Sequence, residues 1–161
     1  MWLLKGFATT ESIDQERCMF VRRSIPITKT LPPLCVSHRD GIRAPLELAG
    51  RVLKLEWREK NLWAEVAVED KHKDVKGFSV GCQLKEFETV RAFENSYSKV
   101  LLAELTELSI TNNMANLEAL VVSREPYVAT GQDDGMAAYL ARKAARDVQM
   151  AFWLNELRGG Q

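Results

Sequence analysis

The chain has 161 residues, 46% of them hydrophobic and 27% charged, a size and composition that suit one globular domain and leave too little chain for two full cores. Its 22 Lys+Arg balance 22 Asp+Glu for a net charge of zero. That balance excludes a protein dominated by phosphate-backbone binding and a highly charged disordered tail, so nucleic acid is not an expected partner. No stretch reaches the roughly 18–20 apolar residues of a membrane helix, so no membrane partner is expected either. The brief apolar start, MWLLKGFATTE, lacks the basic leader and long apolar segment of a signal peptide. Cys18, Cys35 and Cys82 are odd in number and far apart, which argues against a disulfide scaffold and for a reducing cytoplasm. Cys35-x-x-His38 lacks a second close-spaced pair, so no metal is expected.

In chain order, residues 2–8 and 16–22 read as short strands joined by a polar turn. Residues 24–33 (SIPITKTLPP) are punctuated by proline, which fixes φ and removes a ladder donor, and read as an extended loop. A short apolar run, Leu34–Ser37, ends at His38 and a turn around Asp40-Gly41. Leu48–Trp57 and Leu62–Val68 alternate apolar and polar residues on either side of a charged turn, the pattern of a half-buried hairpin. Residues 69–76 read as a solvated linker or short helix. Two further strands are expected at Gly77–Glu86 and Val100–Thr111, with 92–98 (AFENSYS) as a loop, and a last strand at Ala119–Ser123 before a loop at Arg124-Glu125-Pro126. From about Gly135 the period changes, and Met136, Tyr139, Leu140, Ala144, Val148, Phe152 and Leu157 mark one side of a helix. The expected organisation is a β-rich core over 1–130 and a C-terminal helix with a flexible end over 131–161.

Three segments carry candidate chemistry. In Gly77-Phe78-Ser79-Val80-Gly81, a strand places Gly77, Ser79 and Gly81 on one face, a bare strip of backbone with one hydroxyl. Two glycines flanking a serine suit a close backbone approach such as a peptide substrate, or simply a kinked strand with an incidental serine. His38 ends an apolar run where a strand delivers a side chain to a surface site. It reads as a general base, since imidazole titrates near neutrality, or as a hydrogen-bonded structural histidine. His72, among Lys71, Lys73 and Asp74, reads as a solvated loop residue. In Leu101–Ile110, alternation places Glu107 on a face with Leu101, Ala103, Leu105 and Ser109, where an ionised carboxylate needs a partner, a histidine to orient or an arginine. Glu104 is the substitute if the faces are reversed. Cys35 and Cys82 are the rival nucleophiles, and both read better as packed thiols. His38-Arg39-Asp40 imitates part of a kinase loop, but the rest of the kinase motif set is missing.

The order of these blocks, LCVSHRD, a hydrophobic hairpin, GFSVG and then ELSITNNMAN, resembles the prohead maturation proteases of tailed bacteriophages, a family similar in fold to the herpesvirus assemblins. The resemblance covers roughly residues 5–122, and departs from the family where Met114 replaces a proline common before Ala-Asn. It implies an α+β fold, a β-rich barrel of the herpesvirus-protease type with flanking helices and a C-terminal helix. It implies a serine endopeptidase with Ser79 as nucleophile, His38 as base and Glu107 as third member, and no cofactor. By the same similarity the oxyanion donors fall in the loop Asn112–Ala115, around Asn113 and Met114, while Gly77 and Gly81 admit the substrate backbone. The implied substrates are the major capsid protein precursor, the scaffold and the protease itself, cleaved inside an immature capsid in the host cytoplasm. Self-association into a homo-oligomer is also implied, with the C-terminal helix either at the interface or packed on its own core. The alternatives are a non-catalytic capsid-assembly or scaffold-interaction protein with the same fold, and a small binding barrel whose motifs are coincidental.

Overall fold

The computed structural model describes residues 1–36, 47–92 and 95–128, and these are mostly β-sheet. The strands are β1 (Trp2–Thr9), β2 (Cys18–Phe20), β3 (Pro33–Val36), β4 (Leu48–Arg58), β5 (Asn61–Val68), β6 (Gly77–Ala92), β7 (Asn95–Thr111) and β8 (Val121–Pro126). No flanking helix of the expected kind is found among the described residues, where the one helical element is a 3-10 turn, Asp70–His72. A short charged segment with no buried residue supports a single turn and nothing longer. His72 itself is half-buried rather than solvated. The expected C-terminal helix lies outside the described residues. Among those described, no helix is long and apolar enough to cross a membrane.

One sheet holds all eight strands in the order β2-β7-β3-β4-β5-β1-β8, with β6 on the other edge of β7. Strand β7 is the hub. It pairs with β6 along almost its whole length, antiparallel, and its other edge takes β2 near its start and β3 near its end, both parallel. The sheet curls into a half-barrel because its ends are stitched together: Phe78 N–H donates to Ala119 O (2.8 Å), Val121 N–H to Lys76 O (2.9 Å) and Phe7 N–H to Leu120 O (3.1 Å). Residues 119–121 thus bridge β1 and β6 at one end of the curl.

The concave face is filled by Leu4, Val52, Leu55, Leu62, Val66, Val68, Phe78, Val100, Leu108 and Ile110, all buried. Period-two alternation supplies these residues, as the sequence of the β4–β5 hairpin indicates. Two expected loops are instead strand. Residues 95–98 continue β7, with Ala92 paired to Asn95, so β6 and β7 form a ribbon that runs past the core. A ribbon solvated on both faces needs no apolar residue at every second position, so AFENSYS carries no strand period. Arg124–Pro126 likewise extends β8 along β1.

Phe78 and Phe87 lie on the same strand, one fully buried and the other 53% exposed. Phe78→Ala is expected to cost about 3–5 kcal/mol of unfolding free energy and Phe87→Ala less than about 0.5 kcal/mol, read from urea midpoints. Equal losses would show that the outer ribbon is part of the core.

Candidate active site

The site begins from the pairing of three neighbouring strands. Ser79 on β6 stands directly opposite Ser109 on β7, and Ser109 stands opposite Cys35 on β3. Directly opposed residues share a face, so Cys35, Ser109 and Ser79 form one row across the sheet. The neighbouring positions, Leu34, Leu108 and Val80, with Val36, Ile110 and Phe78, form the rows that face the core. In the next row on the Ser79 face, Glu107 stands opposite Gly81. Ser109 Oγ donates a hydrogen bond to Glu107 Oε1 at 3.4 Å.

Glu107 reaches this face through a register slip. Gly81 pairs with Glu107 but Cys82 pairs with Leu105, leaving Thr106 as an extra residue whose Oγ1 donates to Gly81 O at 2.8 Å. Ala103 is buried and Leu105 packs against the core, as do Leu108 and Ile110 beyond the slip. The expectation that Glu107 shares a face with Ala103 and Leu105 is therefore corrected: a bulge reverses the alternation between Leu105 and Glu107. Glu104 points away and pairs with Lys85 at 2.9 Å, so it is no substitute.

The glycines do admit close neighbours, but from within the chain. A Cβ on Gly77 would collide with Ala119 O and the Met114 side chain, and one on Gly81 with the Glu107 side chain. The bare strip is thus occupied by Ala119, Met114 and Glu107, and is not left open for a substrate backbone. Asn113 is also committed, its N–H donating to Thr111 Oγ1 at 3.0 Å. Met114 is buried over Gly77. The better placed amide is Val80. Phe78 N–H points off the edge of β6 to Ala119 O, and the strand period sends the N–H of Val80 the same way. There no strand covers β6 among the described residues.

Along that uncovered edge lies a cleft of about 360 Å³. Ser79, Val80, Gly81, Cys82 and Leu84 form one wall, the chain from Ala8 to Phe20 faces them, and Ala115 and Asn116 close one end. Asn116 is the residue that sequence reasoning missed. It is buried, and its Nδ2 donates to Thr10 O (3.3 Å) and Thr10 Oγ1 (3.0 Å), fastening the end of β1 to the loop after β7. Its position in ELSITNNMAN was the available signal. Across the cleft Asp14 Oδ1 accepts from Cys18 N–H at 2.8 Å. Burial pushes the Asp14 carboxyl above its ordinary value, with Glu16 adding to the rise and the Cys18 amide opposing it. A larger cavity, about 560 Å³, lies between the Pro26–Pro33 segment and Leu102–Leu105 and shares no residue with the Ser79 cleft. Its lining is mostly apolar and includes no serine, cysteine or histidine.

The cysteines are poor nucleophiles here. Burial first, and the neighbouring Cys18 second, push the Cys82 thiol up to about 12, and burial together with Asp14 and Glu16 raises Cys18. Both stay protonated at neutral pH, and the thiolate is the reactive form. Cys35 is fully buried. His38, the expected base, lies outside the described residues, which end on β3 at Val36. Among the described residues no group of three His, Cys, Asp or Glu side chains is arranged to hold a metal. Comparison with protein-family models, curated proteins and solved structures gives no match.

Since the Cys82 thiol is raised from 9.0 to about 12, the unfolded chain releases this proton first as pH rises. The stability it contributes is full below about pH 9 and is lost between about 9 and 12. Alkylation of native Cys82 by iodoacetamide is therefore expected to accelerate well past pH 9, and the urea midpoint to fall more steeply over that window than in Cys82→Ala. An alkylation rate that levels off near pH 9 would contradict the shift.

Proposed function

We propose that the chain is a serine endopeptidase of the prohead-maturation type, with Ser79 as nucleophile, His38 as general base and Glu107 as the residue that orients it. The observation that carries this reading is the placement of Ser79 and Glu107 on one face of two paired strands, in adjacent rows. Diagonal neighbours across a strand pair are about 7–8 Å apart, too far for a direct bond and wide enough for an imidazole to bridge them. Strand β3 supports the third position. Its last described residue, Val36, is in register with Ile110 on the far edge of β7.

In this mechanism Ser79 Oγ attacks a peptide carbonyl as His38 takes its proton. The C–O bond forms and the carbonyl π pair moves onto oxygen, where the Val80 N–H on the uncovered edge donates to it. Collapse of the tetrahedral centre breaks the C–N bond, and His38 returns the proton to the leaving amine. A water molecule then repeats the sequence on the acyl-enzyme. Glu107 holds the ring in the productive tautomer and stabilises the imidazolium, itself steadied by the Ser109 hydroxyl. The enzyme needs no cofactor. The substrates are the major capsid protein precursor, the scaffold and the chain itself, and the setting is an immature capsid in the host cytoplasm with the protease self-associated. The fold type is a barrel of the herpesvirus-protease kind.

Co-expression of the chain with its capsid precursor, followed by intact mass, tests the reading. Trimming is expected with wild type and absent with Ser79→Ala or His38→Ala. Glu107→Gln is expected to lower the rate about 10²–10⁴-fold while leaving the fold intact. The rate is expected to rise with pH around an apparent value near 6–7 as the base deprotonates. Equal trimming by Ser79→Ala overturns Ser79 as nucleophile. No trimming by any form in assembled capsids favours the non-catalytic assembly protein.

A further inference from the structure

The cleft beside Ser79 has a chemistry of its own. Its volume, about 360 Å³, is near the small end of ligand sites, which run roughly 300–1,000 Å³, and suits a side chain with a stretch of backbone. Its β6 wall is uncharged, and the side chains of Phe20, Cys82 and Leu84 are apolar. Among the described residues, the only charged groups lining it are two carboxylates, Asp14 and Glu16. None of the described lysines or arginines lines it. The nearest cation in sequence, Arg17, is turned elsewhere, its guanidinium donating to Ser96 O (3.2 Å) and Asn95 Oδ1 (3.0 Å) at the tip of the β6–β7 ribbon. Neither Asp14 nor Glu16 is in an ion pair with the described basic residues, whereas other carboxylates of the chain, such as Glu56 and Glu104, are. A half-buried carboxylate without a cation, beside an apolar channel, is a poor place for an acidic or neutral polar side chain and a good one for a long side chain with a positive end.

Resting on the serine-protease reading, we propose that this cleft is a specificity site for a lysine or arginine of the substrate close to the scissile bond, its aliphatic stem along Phe20, Cys82 and Leu84 and its cationic head on Asp14 and Glu16. The two carboxylates then select for charge, while the apolar wall selects for length. The serine and the cleft lie on the same strand edge, so a peptide seated there has its carbonyl beside Ser79 when its basic side chain reaches the acidic end.

Binding to the full chain carrying Ser79→Ala separates this proposal from catalysis. The probes are three fluorescent peptides in an alanine-glycine frame, identical except for one central lysine, norleucine or glutamate, with affinity read by anisotropy. Norleucine keeps the stem of lysine and lacks its charge. The lysine peptide is expected to bind about fivefold to tenfold more tightly than norleucine, and glutamate least. In Glu16→Gln and in Asp14→Asn, which keeps an oxygen for the Cys18 amide, lysine and norleucine are expected to converge. Glu16 is exposed, so its variant reports on charge even if Asp14→Asn unfolds. Equal binding of lysine and norleucine overturns the proposal, as does a preference that survives both substitutions, or no binding of the lysine peptide up to about 1 mM. If the charge preference holds but wild type cleaves none of the probes and trims no precursor, the cleft's selectivity stands and the protease reading fails.

Discussion

The arrangement depends on one extra residue. Strand β7 must bury Ala103 and Leu105 along one part of its length and Leu108 and Ile110 along another. An unbroken strand alternates strictly and cannot bury both odd-numbered and even-numbered positions on one side. The slip at Thr106 resolves this, and the Thr106 hydroxyl takes the Gly81 carbonyl as it does so. The same slip decides the face of Glu107. Without it, Glu107 would follow Leu105 toward the core, where an ionised carboxylate is costly. With it, Glu107 comes over Gly81, which has no side chain to meet it.

Packing and chemistry are therefore set by the same few residues. The core rows, Leu34–Leu108–Val80 and Val36–Ile110–Phe78, fix the lateral register of β3, β7 and β6. A shift of one residue in any of the three would expose an apolar row, so the register is held by the hydrophobic effect. The hydroxyl row on the opposite face inherits that precision at no further expense in contacts. Asn116 and Thr10 do the corresponding work at the end of the cleft, joining β1 to the loop after β7 through buried hydrogen bonds. Buried amides of this kind are demanding of geometry and so hold a loop in one place.

Much of the fold was legible in the sequence. The β4–β5 hairpin shows its period directly, and GFSVG and ELSIT fall on adjacent strands in keeping with their alternation. What escaped was the content that depends on context. The ribbon beyond Leu84 is solvated on both faces, so polar residues such as Asn95 and Ser96 carry no period, and 92–98 reads as a loop. The bulge at Thr106 leaves no compositional trace, because threonine suits a strand on either face, and it reversed the reading of Leu101–Glu107. The glycines pointed to a close approach, as Gly77 and Gly81 indicate, but sequence alone does not say whether the approaching atoms belong to a substrate or to Ala119 and Glu107. The expected flanking helices had no amphipathic segment behind them within residues 1–128, only the resemblance.

Strand β6 has an outer edge that no strand covers among the described residues, and that edge has two characters. From Gly77 to Leu84 it contains no charged residue, and from Lys85 to Arg91 four of its seven residues are charged. A long open edge invites pairing with any other extended chain, and charged residues are the usual defence against it. The outer ribbon, which projects furthest into solvent and would meet other molecules first, is the part so defended. The uncharged part is recessed between the end of β1 and the chain leading into β2. The fold thus protects its outer ribbon from indiscriminate sheet extension and leaves an unguarded edge only where access is already narrow.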